Sequence, residues 1–333
     1  MPHGCAPCPL RTARCATLRC MSTAFYAPPE CRAHDMGAGH PECPQRLDAI
    51  HDLLRATGLD LTLDHREAPP APDEALARAH TAAYVREMRD LMQQCAHSGR
   101  PQAVDPDTSL CPATAAAALR GAGAALAATD AVIDGSAENA FCAIRPPGHH
   151  ATREAAMGFC FFNNVAVAAR HALDVRGLQR VAIIDFDVHH GNGTEDIVAG
   201  DERILMCSFF QHPLYPYSGA VPKGTNMVNV PVAPYTRGPA VRELIEQQWM
   251  PALEAFRPQM LFISAGFDAH REDELGQMGL VEADYAWITR RLMDVADAHA
   301  QGRIVSCLEG GYHLSALARS VAAHLRELAG VAS

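Results

Sequence analysis

The stretch VAIIDFDVHHGNGT, residues 181–194, runs from four apolar residues into two aspartates and two histidines, and then into glycines. A short β-branched run bounded by turn residues predicts a buried strand. Ending such a strand in charged and polar groups is costly unless they grip something together. While the chain stays extended, Asp185, Asp187 and His189 share one parity and project to one side, with Phe186 and Val188 opposite.

Outward from this stretch the same pattern recurs. NAFCAI (139–144), RILMCSF (203–209), QMLFISA (259–265) and RIVSCLE (303–309) read as further buried strands. Between them, apolar residues recur at helical spacing around 113–130, 163–175, 238–256, 282–299 and 313–329. Alternating strands and helices predict an α/β fold: a mostly parallel central sheet flanked by helices on both faces, forming a single domain over 22–333. In such sheets ligands bind beyond the carboxyl ends of the strands. The five runs are followed by RPPGHH, DVHHGNG, FQHPLYPYSG, GFDAH and GGYH, so polar residues should converge on one crevice.

Composition sets the remaining bounds. The chain has 333 residues, 48% hydrophobic, with a formal charge of −10. That charge argues against a nucleic-acid partner, whose phosphates need clustered positive charge. No apolar run is read as long enough to cross a membrane. Cys142, Cys160, Cys207 and Cys307 lie in apolar runs and suggest reduced thiols in a cytoplasmic setting. Residues 1–21 lack periodicity; their four cysteines match no usual zinc spacing, and the segment reads as a disordered N-terminal extension. Nothing in the sequence excludes a homo-oligomer.

Chemically, one carboxylate and one imidazole from the 181–194 row can hold the same cation. Asp268 in SAGFDAH would complete a set of three ligands, Asp187, His189 and Asp268, leaving a position open for water and substrate as catalytic zinc requires. Asp185 then remains to fix the tautomer of a histidine, with His149 and His150 as candidates.

The motifs RPPGHHA, GFCFFNN, DFDVHHGNGT, SAGFDAH and EGGYH, with HPECPQRL near the start, resemble the histone deacetylase and acetylpolyamine amidohydrolase family, most closely its class II branch. The resemblance implies the arginase/deacetylase fold, one catalytic Zn2+, and hydrolysis of an N-acyl amide on an amine-bearing chain. It implies that Asp187, His189 and Asp268 are the zinc ligands, His150 the general base, and His149, restrained by Asp185, a charged electrostatic partner. Tyr312 would bind the substrate carbonyl and stabilise the oxyanion beside the metal. Asn192 stands where some branches have Asp, so the His150 pKa should be raised less. Phe159 and Tyr215, or alternatively Tyr217, are implied as channel walls, with Leu275 at the mouth. Arg46 is grouped with the channel as a basic residue below the metal. A structural K+ is implied on backbone oxygens of Asp185, Asp187 and His189 with Ser208 and Phe209.

For the substrate, Leu275 at the mouth favours the acyl-lysine of a peptide or protein; the alternative is an acetylated polyamine, which an acid there would favour. Glu274 stands one residue away. Two rivals come from other classes. A dinuclear manganese ureohydrolase would need more bridging carboxylates, but His270 occupies the position two after Asp268. A non-catalytic binding module has no support, because ligands, tandem histidines and Tyr312 are all present.

Overall fold

The computed structural model describes residues 22–331. The expected disordered extension over 1–21 lies outside them. Among the described residues ten strands form: β1 (Thr23–Tyr26), β2 (Leu63–Arg66), β3 (Gln102–Asp105), β4 (Thr108–Leu110), β5 (Asn139–Cys142), β6 (Val181–Asp185), β7 (Ile204–Gln211), β8 (Met227–Val232), β9 (Leu261–Ala265) and β10 (Ile304–Leu308). Their helices are α1 (Gln45–Ala56), α2 (Asp73–Leu76), α3 (Ala82–Ser98), α4 (Thr114–Ile133), α5 (Asn164–Asp174), α6 (Asn192–Val198), α7 (Gly238–Leu244), α8 (Met250–Phe256), α9 (Glu282–His299) and α10 (Leu314–Leu328).

Eight strands make one sheet in the order β2-β1-β5-β10-β9-β6-β7-β8, and every pairing in it is parallel. The pair β3-β4 is a separate antiparallel hairpin. Every residue of β5, β6, β9 and β10 is buried. Successive side chains point to opposite faces, so both faces of these central strands must be covered. Helices α4 and α5 pack together, as do α1, α10 and α9 in a second group. The predicted apolar runs are therefore the interior strands, for which a continuous apolar sequence is the signature.

Two expectations need correction. Helix α4 is 20 residues long and apolar enough by length and composition to cross a membrane, contrary to the reading that no such run exists. It packs instead against α5 and β5, with most of it buried in the protein. The helix expected over 238–256 is interrupted by a π turn, Ile245–Trp249, between α7 and α8. Pro251, at the start of α8, explains the break: proline has no N–H to donate and its ring crowds the carbonyl one turn back.

Candidate active site and metal centre

The sheet order brings β5, β10, β9 and β6 side by side, and the loop after each contributes to one crevice at their carboxyl ends. Asp185 is the last residue of β6, where the strand stops. The parity argument therefore holds for Asp185 but does not carry the rest of the row. Asp187 and His189 are aligned by turns: the Asp187 N–H donates to Asp185 Oδ1 at 3.1 Å, and the His189 N–H to Asp187 Oδ1 at 2.9 Å. Short side chains that accept from the backbone two residues on fold the chain into successive bends. Phe186 and Val188 are buried, as expected.

Asp187, His189 and Asp268 offer donor atoms within 4.8 Å of one another, all buried. His189 Nδ1 stands 3.0 Å from Asp187 Oδ1 and 3.2 Å from Asp268 Oδ2. Ligands bound at about 2.0–2.2 Å around a tetrahedral zinc stand roughly 3.3 Å apart, so the spacing suits that ion. The remaining oxygens are held by the scaffold: Asp187 Oδ2 accepts from Gly310 N at 2.9 Å, and Asp268 Oδ1 from Val188 N at 2.8 Å. Asp268 Oδ2 is buried without a hydrogen-bond partner. Burial and the neighbouring Asp187 charge hold the Asp268 carboxyl above the usual carboxylate range. A Cβ on Gly310 would meet Asp268 Oδ2 at 2.0 Å, so only glycine lets this loop close over the two acids.

The tandem histidines have unlike surroundings. His149 Nδ1 lies 3.0 Å from Asp185 Oδ2, and its ring is 4.0 Å from that of His150. Burial alone would lower its pKa, but Asp187 and Asp185 outweigh that and hold it well above the usual imidazole value. His150 Nδ1 meets Asn192 Oδ1 at 2.7 Å. The amide oxygen can only accept, so the proton sits on Nδ1 and Nε2 keeps its lone pair. Burial, then the charges of His149 and His189, push the His150 pKa well down. The Asn192 amide favours the charged form only weakly, as expected of a dipole in place of a carboxylate, and burial with two like charges prevails. His150 lines the cavity, whereas His149 is not among its lining residues.

That cavity, about 250 Å3, is walled by Phe159, Tyr215, Tyr217 and Leu275, with His150, His189 and Tyr312 at its inner end and Asp107 also lining it. Phe159 is set by a tight turn in which Met157 and Cys160 pair and both Gly158 and Phe159 have positive φ. Its N–H donates to the buried Thr108 hydroxyl at 2.9 Å, which holds a bulky residue in the left-handed region. Tyr217, the alternative to Tyr215, is 74% exposed and lines the cavity together with it. Leu275 lines the cavity and, with Tyr312, also an adjoining cleft; Glu274 lines only that cleft, with His313 and Ser315. Arg46 does not line this cavity. It is fully buried, its Cζ 5.1 Å from the Tyr312 ring centre, donating to Gly311 O and to Glu42 Oε1 at 3.0 Å. Burial, then Asp268, raises the Tyr312 pKa well above its usual value, so the phenol stays protonated and able to donate.

Two positioning residues escaped the sequence reading. Glu309 Oε2 accepts the N–H groups of Gly148 (2.6 Å) and His149 (3.1 Å), tying the histidine loop to β10. Asp273 Oδ2 accepts those of Tyr312 (2.6 Å) and His313 (3.0 Å), tying the tyrosine loop to the segment after Asp268. The only available signal was an acid next to a buried run, which does not say which distant backbone it holds. For potassium, the Ser208 hydroxyl is buried without a partner, in register opposite Asp185.

Comparison with known proteins agrees with this geometry. Residues 40–328 match the family model described as the histone deacetylase domain. The histone deacetylase-like amidohydrolase of Pseudomonas aeruginosa is 39% identical over 303 residues, covering 89% of this chain and 78% of that protein. The polyamine deacetylase HDAC10 of Mus musculus is 38% identical over 308 residues, covering 87% of this chain and 45% of that one. Among solved structures, the HDA15 HD domain superposes with a TM-score of 0.86 at 32% identity, over 93% of this chain and 88% of that domain.

Proposed function

The chain belongs to the histone deacetylase family of amide hydrolases, and from that premise we propose that it is a zinc-dependent deacylase of N-acylated lysine side chains. The observation that carries the reading is that the buried donor cluster Asp187, His189 and Asp268 reaches, through His189, a cavity also lined by His150, Tyr312, Phe159 and Tyr215. Asp187, His189 and Asp268 would hold the zinc, which when bound supplies Lewis-acid polarisation of the amide carbonyl and the attacking water.

The protein groups do the rest. The free Nε2 lone pair of His150 takes a proton from water and later delivers it to the departing amine. His149, kept charged by Asp185, contributes positive potential behind it. The Tyr312 hydroxyl donates to the oxygen that gains charge. Phe159, Tyr215 and Leu275 suit the methylene stem of an acyl-lysine, which is apolar once its charge is masked. A K+ on the backbone near Asp185, Asp187, His189, Ser208 and Phe209 is the family's implication, supported by the unpartnered Ser208 hydroxyl.

Lysine is preferred over polyamine because the mouth position that the family resemblance singles out is Leu275, which lines the cavity while Glu274 does not; Asp107 is the one acid among the described residues of that lining, and the substrate comparison tests its weight. Turnover of acetyl-lysine peptides, longer acyl-lysines and acetylspermidine should be compared on zinc-loaded protein, with elemental analysis of the metal. The expected result is one zinc per chain and higher kcat/KM on the peptides, with Tyr312→Phe lowering kcat on the order of 100- to 1000-fold. Equal or faster turnover of acetylspermidine would reverse the substrate assignment.

A further inference from the structure

A second concavity of about 580 Å3 is lined by Tyr235, Arg237, Arg271, Gly276 and Gln277 among others. Gly276 directly follows Leu275, so one backbone segment forms both the wall of the acyl channel and the edge of this cleft. We propose that the cleft binds an aspartate or glutamate side chain flanking the acyl-lysine in the substrate peptide, with Arg237 and Arg271 as the specificity-determining residues. The inference rests on the lysine-deacylase reading and adds to it the sequence context of the target.

The cleft is built on paired backbone. Arg237 bridges in parallel with Gly279, and His270, next to Arg271, with Leu280. The Gly279 N–H donates to Thr236 O at 2.9 Å, and the Arg271 N–H to Leu280 O at 2.9 Å. On the other side Gln277 is clasped by Gln211, whose Oε1 accepts the Gln277 N–H at 2.8 Å. The two arginines are therefore carried on segments fixed to the same central run.

Both are exposed. Among the described residues neither makes an ion pair, whereas Arg242, Arg291 and Arg319 on the neighbouring helices do. Of the acids nearby in the chain, Glu272 pairs with Arg319, Asp284 with Arg242, and Asp273 holds the backbone of Tyr312 and His313; Glu274 lines a different cleft, with His313 and Ser315. In a chain carrying ten excess negative charges, two unneutralised guanidinium groups in one hollow form a local anion site. Tyr235 adds an aromatic surface beside them: it is 75% exposed with φ of +67°, a conformation bulky residues rarely adopt, and its N–H is bound to Gln277 O at 2.7 Å. Asp107 lines the channel, so the entrance has an acidic residue as well as this basic cleft. That asymmetry would orient a peptide and disfavour the cationic tail of a polyamine on the arginine side.

The test uses zinc-loaded full-length protein and acetyl-lysine peptides that differ only in Asp or Asn at each flanking position in turn. On one side of the lysine, Asp is expected to raise kcat/KM by about 3- to 10-fold over Asn, through KM, with the preference shrinking in about 0.5 M NaCl. In Arg237→Gln/Arg271→Gln the Asp/Asn ratio should fall to near one. Fluorescence anisotropy of the labelled peptides should show the same difference in Kd. A ratio near one at every position in the unsubstituted protein, or a ratio retained in the double variant, overturns the inference while leaving deacylation standing. Absence of acetate release from every peptide overturns the deacylase reading and this inference with it.

Discussion

Asn192 decides how basic His150 is. Its amide oxygen, 2.7 Å from Nδ1, can orient the ring but contributes only a dipole to the charged form. Asn192→Asp would place a carboxylate there, favour the imidazolium and raise the His150 pKa. Protonation of the base would then persist to higher pH, so the acidic limb of the kcat/KM profile should move upward by about one unit. A pH–rate profile of the two proteins checks the direction. At this scale much of the site was readable from the sequence, because Asp187, His189, Asp268 and the tandem histidines lie where strands end. The environment of His150 was not, because burial and the nearness of His149 and His189 arise only on folding.

At the scale of elements, the site is four loops held in mutual position by buried carboxylates. Asp273 is 7% exposed and ties the loop after β9 to the backbone N–H groups of Tyr312 and His313 after β10. Asp273→Ala would leave both donors without this acceptor and let the phenol drift. A displacement of about 1 Å can lower rate on the order of 100-fold, so kcat should fall roughly 10- to 100-fold with bound zinc retained. Steady-state kinetics with elemental analysis separates this from metal loss. Strand positions were legible because interior parallel strands are continuously apolar. The π turn at Ile245–Trp249 was not, since helical periodicity continues across it and only Pro251 marks the place.

Across the whole molecule, remote segments are joined by groups the sequence leaves unrelated. Glu42, fully buried, ion-pairs with Arg46 and Arg145, and Arg145 also donates to the carbonyls of Cys31 and His34 at 2.9 and 3.0 Å. Burial opposes ionisation, but the two arginines prevail and lower the Glu42 pKa to about 2. Glu42→Gln would strand two buried guanidinium groups and should cost about 3–5 kcal/mol in urea unfolding. A second measurement concerns His324, buried between Thr289 (2.7 Å) and Ser306 (3.0 Å), whose pKa burial lowers to about 3. The unfolded imidazole binds its proton near pH 6.5 while the folded one does not. Its contribution to stability is therefore complete above that pH and is lost at about 1.4 kcal/mol per unit as pH falls toward 3. Unfolding curves of His324→Asn should show a shallower slope over that window. The sequence by itself determined the alternating strands and helices and pointed to the candidate metal donors, because apolar periodicity and ligand type are local properties of the chain. Tertiary structure alone decided which strands are neighbours, which backbone Glu309 and Asp273 hold, that Glu274 stays outside the cavity Leu275 lines, and that Arg237 and Arg271 line one concavity. Those facts depend on distances between residues far apart along the chain, which are set only when the sheet closes its order and the loops pack.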